Sequence, residues 1–379
     1  MRQIPKTIPE EERNMHDHPR ARCWLEVDTA AIVHNLELTR HLISPQTELI
    51  AVLKADAYGI GAVPVARLLW AHGVRRYSVA CLGEAFSLRE ALPEAWILCM
   101  GETLGGAVTD AVRAGIRLTV GSYDAAKRVS EAAQELGCTA RIHYKVDTGL
   151  YRIGFASDNA VDEIRRCSAL PNLDAEGIYT HLALHDKESD IRQHEALERI
   201  LCELKSEGIC PPMVHMLDSI GIVRYPQWQY QAIRVGAMLY GNAPRGMTGE
   251  LPKPTVRFMA RVARVFSVPE GSLIGYDDEH PLDHDARIAV ISAGYADGYP
   301  RVFSRCGEVM IHNMRAKIVG LICMDQMMAD ITDIPDVSQN DEVILLGDGI
   351  SLTEYASVGK LNRNECTAVI GKRVPRIYS

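Results

Sequence analysis

Between residues 49 and 236 the chain alternates two textures. Near-continuously apolar runs of strand type recur: LIAVLKAD (49–56), RYSVAC (76–81), AWILCM (95–100), IRLTV (116–120), ARIHYKVD (140–147), AEGIYTH (175–181), MVHMLD (213–218) and AIRVG (232–236). Between them lie stretches with helical spacing of apolar residues. These include AVPVARLLWAHG (62–73), EAFSLREALP (84–93), AVTDAVRAG (107–115), YDAAKRVSEAAQELG (123–137) and RQHEALERILCELKSEG (192–208). The first texture suits strands buried on both faces. The second suits amphipathic helices, several with a glycine stop. Strands mostly separated by helices predict a parallel sheet with helical cover, and eight is the number that closes a (β/α)8 barrel of the TIM type. A doubly wound open sheet is the competing architecture.

From about residue 256 the pattern changes. TVRFMARVARVFSVPEGSLIGY (255–276), RIAVISAGYADGY (287–299), EVMIHNMRAKIVGLICMDQMMADI (308–331) and DEVILLGDG (341–349) are strand-rich with turn residues between, and only SLTEYASVGKL (351–361) has a helical pattern. The expected organisation is a polar tail or linker over 1–21, a barrel over 22–255 and a mostly β domain over 256–379. The early run CWLEVD (23–28) is a candidate to join the β domain.

Composition narrows the function classes. The net charge is −8 and no basic stripe is present, which excludes nucleic acid as a partner. No uncharged apolar run reaches the roughly 18 residues of a spanning helix, and the opening MRQIPKTIPEEERNMHDHPRAR lacks the apolar centre of a signal peptide. Ten cysteines are scattered without CxxC or His–Cys metal spacing, as expected of reduced thiols in a cytoplasmic protein, and no metal is implied.

Chemistry in such a barrel gathers at the C-terminal ends of the strands. There the chain places Lys54, Lys145, His181, Asp218 with Ser219, and Arg234 with Gly236. A lysine in a partly dehydrated pocket has a lowered pKa and is an effective amine nucleophile toward a carbonyl. Pyridoxal phosphate offers an aldehyde and a phosphate. DSIG (218–221) and RVGA (234–237) supply a hydroxyl and backbone N–H groups that suit the phosphate.

AVLKADAYGIG (51–61) resembles the cofactor-lysine motif of the alanine racemases. The likeness runs from about residue 22 to the C-terminus through KVDTGLYRIGF (145–155), EGIYTHLA (176–183), IRVGAMLYG (233–241), GYADGYPR (294–301), LICMDQ (321–326) and KRVPRIY (372–378). The resemblance implies a homodimer of two-domain subunits with shared active sites, using pyridoxal 5'-phosphate. It implies that Lys54 holds the cofactor covalently and is one catalytic base, and that Tyr276 is the second, serving the partner's site. Tyr58, Ser219 and the backbone of Gly236 and Ala237 would bind the phosphate, His181 would stack on the pyridine ring, and Arg234 would face its nitrogen. Lys145 resembles a lysine often found carbamylated, with Arg152 beside it binding the carbamate and placing substrate. Met324, through its backbone N–H, and Asp325 would approach the partner's substrate.

Three positions depart from the family pattern. Asn364 stands where tyrosine is usual, as in the membrane-bound serine racemases of vancomycin-resistance clusters. An added hydroxyl left unpaired costs roughly 1–3 kcal/mol, and asparagine offers it both room and a partner. The expectation is therefore racemisation of serine and alanine, supplying D-serine for modified peptidoglycan precursors. A plain alanine racemase for cell-wall D-alanine, or a racemase of lysine and ornithine, is the alternative. Those serine racemases carry a multi-spanning part ahead of the catalytic part, so the polar opening is a candidate linker from a membrane tether. Asp218 replaces the usual asparagine, and Asp277 follows Tyr276 where a small residue is common. A decarboxylase of the same architecture would want an acidic residue in place of Arg234, and a non-catalytic pyridoxal phosphate carrier would lack the β domain.

Overall fold

After a first strand, β1 (Cys23–Val27), the apolar runs fold as parallel strands that close on themselves: β2 (Glu48–Val52), β3 (Arg76–Val79), β4 (Trp96–Glu102), β5 (Arg117–Val120), β6 (Ala140–Asp147) with a two-residue companion β7 (Phe155–Ala156), β8 (Leu173–Tyr179), β9 (Met213–His215) and β10 (Ala232–Val235). The strand order is β5-β4-β3-β2-β10-β9-β8-β6, and pairing of β5 with β6 completes the ring. This is the expected (β/α)8 barrel. The computed structural model describes residues 21–276 and 279–379, so the opening tail, apart from Ala21, lies outside the described residues.

Alternation along the strands separates two environments. On β6, Ile142, Tyr144 and Val146 join the apolar layer under the helices. His143 and Lys145 occupy the intervening positions and meet other interior side chains, His215 and Tyr179. Gly177 on β8 makes this column feasible, because a Cβ there would sit 2.4 Å from the His143 ring. Two helices not singled out from the sequence complete the cover, Thr29–His41 and Ala160–Ser168. The first buries Asn35 and Thr39 along with its apolar residues, which breaks the simple polar–apolar stripe.

The second sheet contains β11 (Val256–Val268), β12 (Ala286–Ile291), β13 (Glu308–Ile311), β14 (Met314–Val319), β15 (Met327–Asp330), β16 (Glu342–Leu346) and β17 (Arg376–Tyr378). The long β11 pairs with β16 over 258–261 and with β12 over 262–268, its pairing with β12 shifting register between Val262 and Arg264, so that β12-β15-β14-β13-β16-β11 also closes. β1 adds antiparallel to β11, and β17 adds parallel to β1. A second short helix, Arg363–Ala368, follows Leu352–Gly359 in a region where one was expected. Asn362 starts it, accepting the Asn364 N–H at 2.9 Å.

Candidate active site

Lys54 lies two residues beyond the end of β2, at the head of an unusual turn. Ala55, Asp56, Ala57 and Tyr58 all have φ between 53° and 59°, a left-handed turn without glycine. Each such residue costs roughly 1–2 kcal/mol, so the turn needs external support. Glu84 supplies it from below: one carboxylate oxygen accepts the Ala55 N–H at 2.6 Å and the other the Ala80 N–H at 2.9 Å. The C-terminal strand supplies it from the side, where Arg376 donates to the Gly59 carbonyl and Tyr378 to the Ile60 carbonyl, each at 2.8 Å. The turn brings Lys54 and Tyr58 to one cavity.

That cavity has a volume of about 420 Å³. Its walls include Lys54, Tyr58, Lys145, Arg152, His181, Asp218, Ser219, Arg234, Gly236, Ala237 and Asn364, eleven of the residues singled out in the sequence. Gly236 leaves room for the tyrosine, since a Cβ there would lie 2.7 Å from the Tyr58 hydroxyl. Ser219 accepts the Met238 N–H at 3.2 Å. Asp218 accepts from the N–H groups of Ile220 and Gly221, which fixes the turn that carries Ser219. Asp147 accepts the N–H groups of Gly149, Leu150, Tyr151 and Arg152, which fixes the loop presenting Arg152.

The cavity is cationic. Burial, followed by the charges of Arg152 and Arg234, lowers the pKa of Lys54. Burial brings Lys145 down to about 7, and its Nζ donates to the Val146 carbonyl at 2.6 Å. Burial lowers Arg234 only to about 10, so it keeps its proton at neutral pH. Its guanidinium donates to the carbonyls of Thr180 and Met216 and to His181 Nδ1 at 3.1 Å. His181 is driven well below the ordinary histidine value, first by burial and then by Arg234. Lys54, Arg152 and Arg234 outnumber the single carboxylate of Asp218 around this space, which suits an anionic ligand.

Tyr276, Met324 and Asp325 do not line this cavity. They stand exposed on the β domain, Tyr276 with 72% of its surface open. The Asp325 carboxylate is bound within its own subunit, accepting from Arg373 at 2.7 Å. Asp277 lies outside the described residues. Residues that sequence reasoning missed stand behind the site. His215 and His143 extend inward from Arg234, Tyr179 lines the cavity, and Asn242 donates to Asn364 Oδ1 at 2.9 Å. His143 had a readable signal, since it shares the face of Lys145 two positions away. Asn242, on a loop, had none.

Sequence profiles of the alanine racemase N-terminal and C-terminal domains match residues 27–244 and 255–378. The chain is 38% identical over 364 residues to an alanine racemase of Desulforamulus reducens, covering 94% of this chain and 98% of the relative. It is 38% identical over 367 residues to one from Carboxydothermus hydrogenoformans, with coverage of 94% and 99%. The alanine racemase structure from Clostridium difficile 630 superposes with a TM-score of 0.91 at 31% identity, covering 95% of this chain and 96% of that one. The structure from Bartonella henselae, which has covalently bound pyridoxal phosphate, gives 0.85 at 28%, covering 95% and 100%.

Fold and cavity together define an amino-acid racemase built on a barrel and a β domain. The chain belongs to the alanine racemase family. The residues present fit the pyridoxal phosphate on which that family depends: a lysine of lowered pKa for its aldehyde, a histidine ring and an arginine beside it, and a hydroxyl with small residues for its phosphate.

Two finer expectations find no support. The relatives quoted above are named alanine racemases, and nothing connects the chain to the serine racemases of vancomycin-resistance clusters. Among the described residues no helix is long and apolar enough to cross a membrane, and nothing supports a membrane tether.

Proposed function

We propose that the protein interconverts L- and D-alanine as a pyridoxal phosphate-dependent homodimer with shared active sites. The observation that carries this is the division of the candidate residues. Eleven line one predominantly cationic cavity, while Tyr276 and Met324 stand exposed on the β domain, as residues of a partner's site would. When bound, pyridoxal phosphate supplies the electron sink that makes an α-proton removable. Lys54 Nζ moves the proton on one face of the substrate, and the partner subunit's Tyr276 moves it on the other through its hydroxyl. Two one-sided bases invert the centre without turning the substrate over. Arg234 would stand at the ring nitrogen with a group that gives up its proton poorly, which would keep the sink weak and favour prompt return of a proton. Tyr58, Ser219, Gly236 and Ala237 would hold the phosphate, and Arg152 and the partner subunit's Met324 would orient the substrate carboxylate.

Lys145, carried toward neutrality by burial and facing Arg152 and Arg234, is suited to capture carbon dioxide as a carbamate, which would balance those charges. A second reading, that serine is also accepted, is supported by one observation. Asn364 lines the cavity with its Oδ1 committed to Asn242, leaving Nδ2 to meet a hydroxyl. Measuring kcat/KM for L-alanine and L-serine on the cofactor-loaded enzyme tests both. Alanine is expected to be the better substrate, and a preference for serine would overturn that assignment.

A further inference from the structure

Asp297 is fully buried in the β domain, where it meets arginines from opposite ends of the chain. Arg22 Nη2 donates to Oδ1 at 2.6 Å and Arg373 Nε to the same oxygen at 2.8 Å, while the Gly294 N–H donates to Oδ2 at 2.9 Å. Both arginines continue to Asp325. Arg373 Nη2 donates to its carboxylate at 2.7 Å, and Arg22 Nη1 donates to its backbone carbonyl at 2.8 Å. The backbone closes the arrangement from the other side, with the N–H groups of Tyr295 and Ala296 donating to the carbonyls of Cys323 and Met324 at 3.1 and 3.0 Å. None of these bonds uses the Met324 N–H.

A buried carboxylate held by two arginines is a poor investment in stability, because desolvation offsets much of the attraction. Its distinctive product is geometry. A guanidinium is a rigid fork, and here each fork spans two acceptors on different segments, which a lysine cannot reproduce. The object held is the exposed turn 323–325. Met324 is 53% exposed at its crest, although every neighbour that fixes its backbone is in place.

We propose that Asp297, Arg22 and Arg373 are positioning residues for the active site of the other subunit: they clamp turn 323–325 so that the Met324 N–H is delivered to a substrate carboxylate in the partner's barrel. This rests on the shared-site reading above. The clamp acts in trans: Arg22, Asp297 and Arg373 bind one another and the turn, and none of them lines the cavity of its own barrel.

Hybrid dimers test the direction of action. In a dimer of one Lys54→Ala subunit and one Tyr276→Phe subunit, a single site keeps both bases, combining the barrel of the second with the β domain of the first. Arg373→Lys, and separately Arg373→Ala, is then placed on one subunit or the other. On the Lys54→Ala subunit it should raise the KM for alanine by about 10- to 100-fold, the size expected of a displaced substrate-orienting group, with a smaller change in kcat. On the Tyr276→Phe subunit it should leave both constants within twofold. Arg373→Lys keeps the charge and secures the test should the alanine variant fold poorly. Equal effects from the two placements, or no effect from either, would overturn the proposal. If the parent hybrid itself stays inactive although heterodimers form, the shared site falls and the clamp's role falls with it.

Discussion

Arg234 Nη1 lies 2.6 Å from His215 Nδ1, and this one contact sets the protonation of the barrel's interior. A guanidinium can only donate, so His215 accepts at Nδ1 and carries its proton on Nε2. That proton points to His143 Nδ1 at 2.9 Å, which places the His143 proton on Nε2, where it finds no partner. A positive imidazole at either position would have no acceptor for its extra proton.

Both histidines should therefore remain neutral far below the usual imidazole range. Burial lowers His143 to about 3 and carries His215 well down, with Arg234 adding to the effect. Nitrogen-15 NMR of labelled protein should find both rings as the Nε2–H tautomer, unchanged from pH 8 to pH 5. A ring that titrates in that interval would contradict the chain of donors. His215→Leu, which strands a buried guanidinium N–H, should cost about 1–3 kcal/mol in denaturant unfolding.

The two bases should separate cleanly. Lys54→Ala should abolish racemisation together with the visible absorbance of covalently held cofactor, and a covalent signal surviving in that variant would exclude Lys54 as the attachment point. Tyr276→Phe should slow proton loss from L-alanine by roughly 10²- to 10⁴-fold, while exchange of the D-alanine α-proton with solvent survives better. Equal loss from both enantiomers, followed in deuterated buffer, would argue against one base per face.

Asn364→Tyr should favour alanine over serine. Losing a hydroxyl's hydrogen bond of roughly 1–3 kcal/mol corresponds to about 5- to 150-fold in relative kcat/KM. The same change removes the acceptor for Asn242, already buried with an unpartnered Oδ1, so the melting temperature should fall. An unchanged substrate ratio would locate discrimination elsewhere in the cavity.

Lys145 should leave a signature in the pH dependence of stability. It titrates near 7 in the fold, against an ordinary lysine value of 10.5 in the unfolded chain. Between these values the unfolded chain holds a proton that the folded one lacks, so the group's contribution rises with pH across this window and its full penalty applies below it. In carbon dioxide-free buffer, calorimetry should find the melting temperature climbing from pH 7 to 9 more steeply than in Lys145→Met. Bicarbonate should flatten that difference if the amine becomes a carbamate, which carbon-13 NMR can detect directly. Parallel curves in both buffers would mean that Lys145 is not buried as a free amine.

The barrel was legible in the sequence because strands buried on both faces leave continuous apolar runs, and because Lys145, His181 and Arg234 interrupt those runs at the same end. The turn at 55–58 was not. KADAY contains nothing that demands a left-handed backbone, and its conformation is imposed by Glu84, Arg376 and Tyr378 from distant parts of the chain. The helix Thr29–His41 escaped notice because it buries Asn35 for bonds to the Leu239 and Lys253 carbonyls, a demand set by tertiary structure. Substrate preference is the least legible feature, because it rests on a single position. Asn364 does line the cavity, but half of its amide serves Asn242.

The placement of β1 between β11 and β17 has a consequence for how the polypeptide is made. Val27 precedes every barrel strand in the chain, yet its carbonyl accepts the N–H of Ser379, 352 positions later, at 3.0 Å. The barrel's strands can associate while synthesis continues, since each finds its neighbour nearby in the chain or one turn around the ring. β1 finds no partner until β11 has been made, and it keeps one edge open until β17 follows. Completion of the β domain is thereby deferred until β17 has been made, well after the last barrel strand.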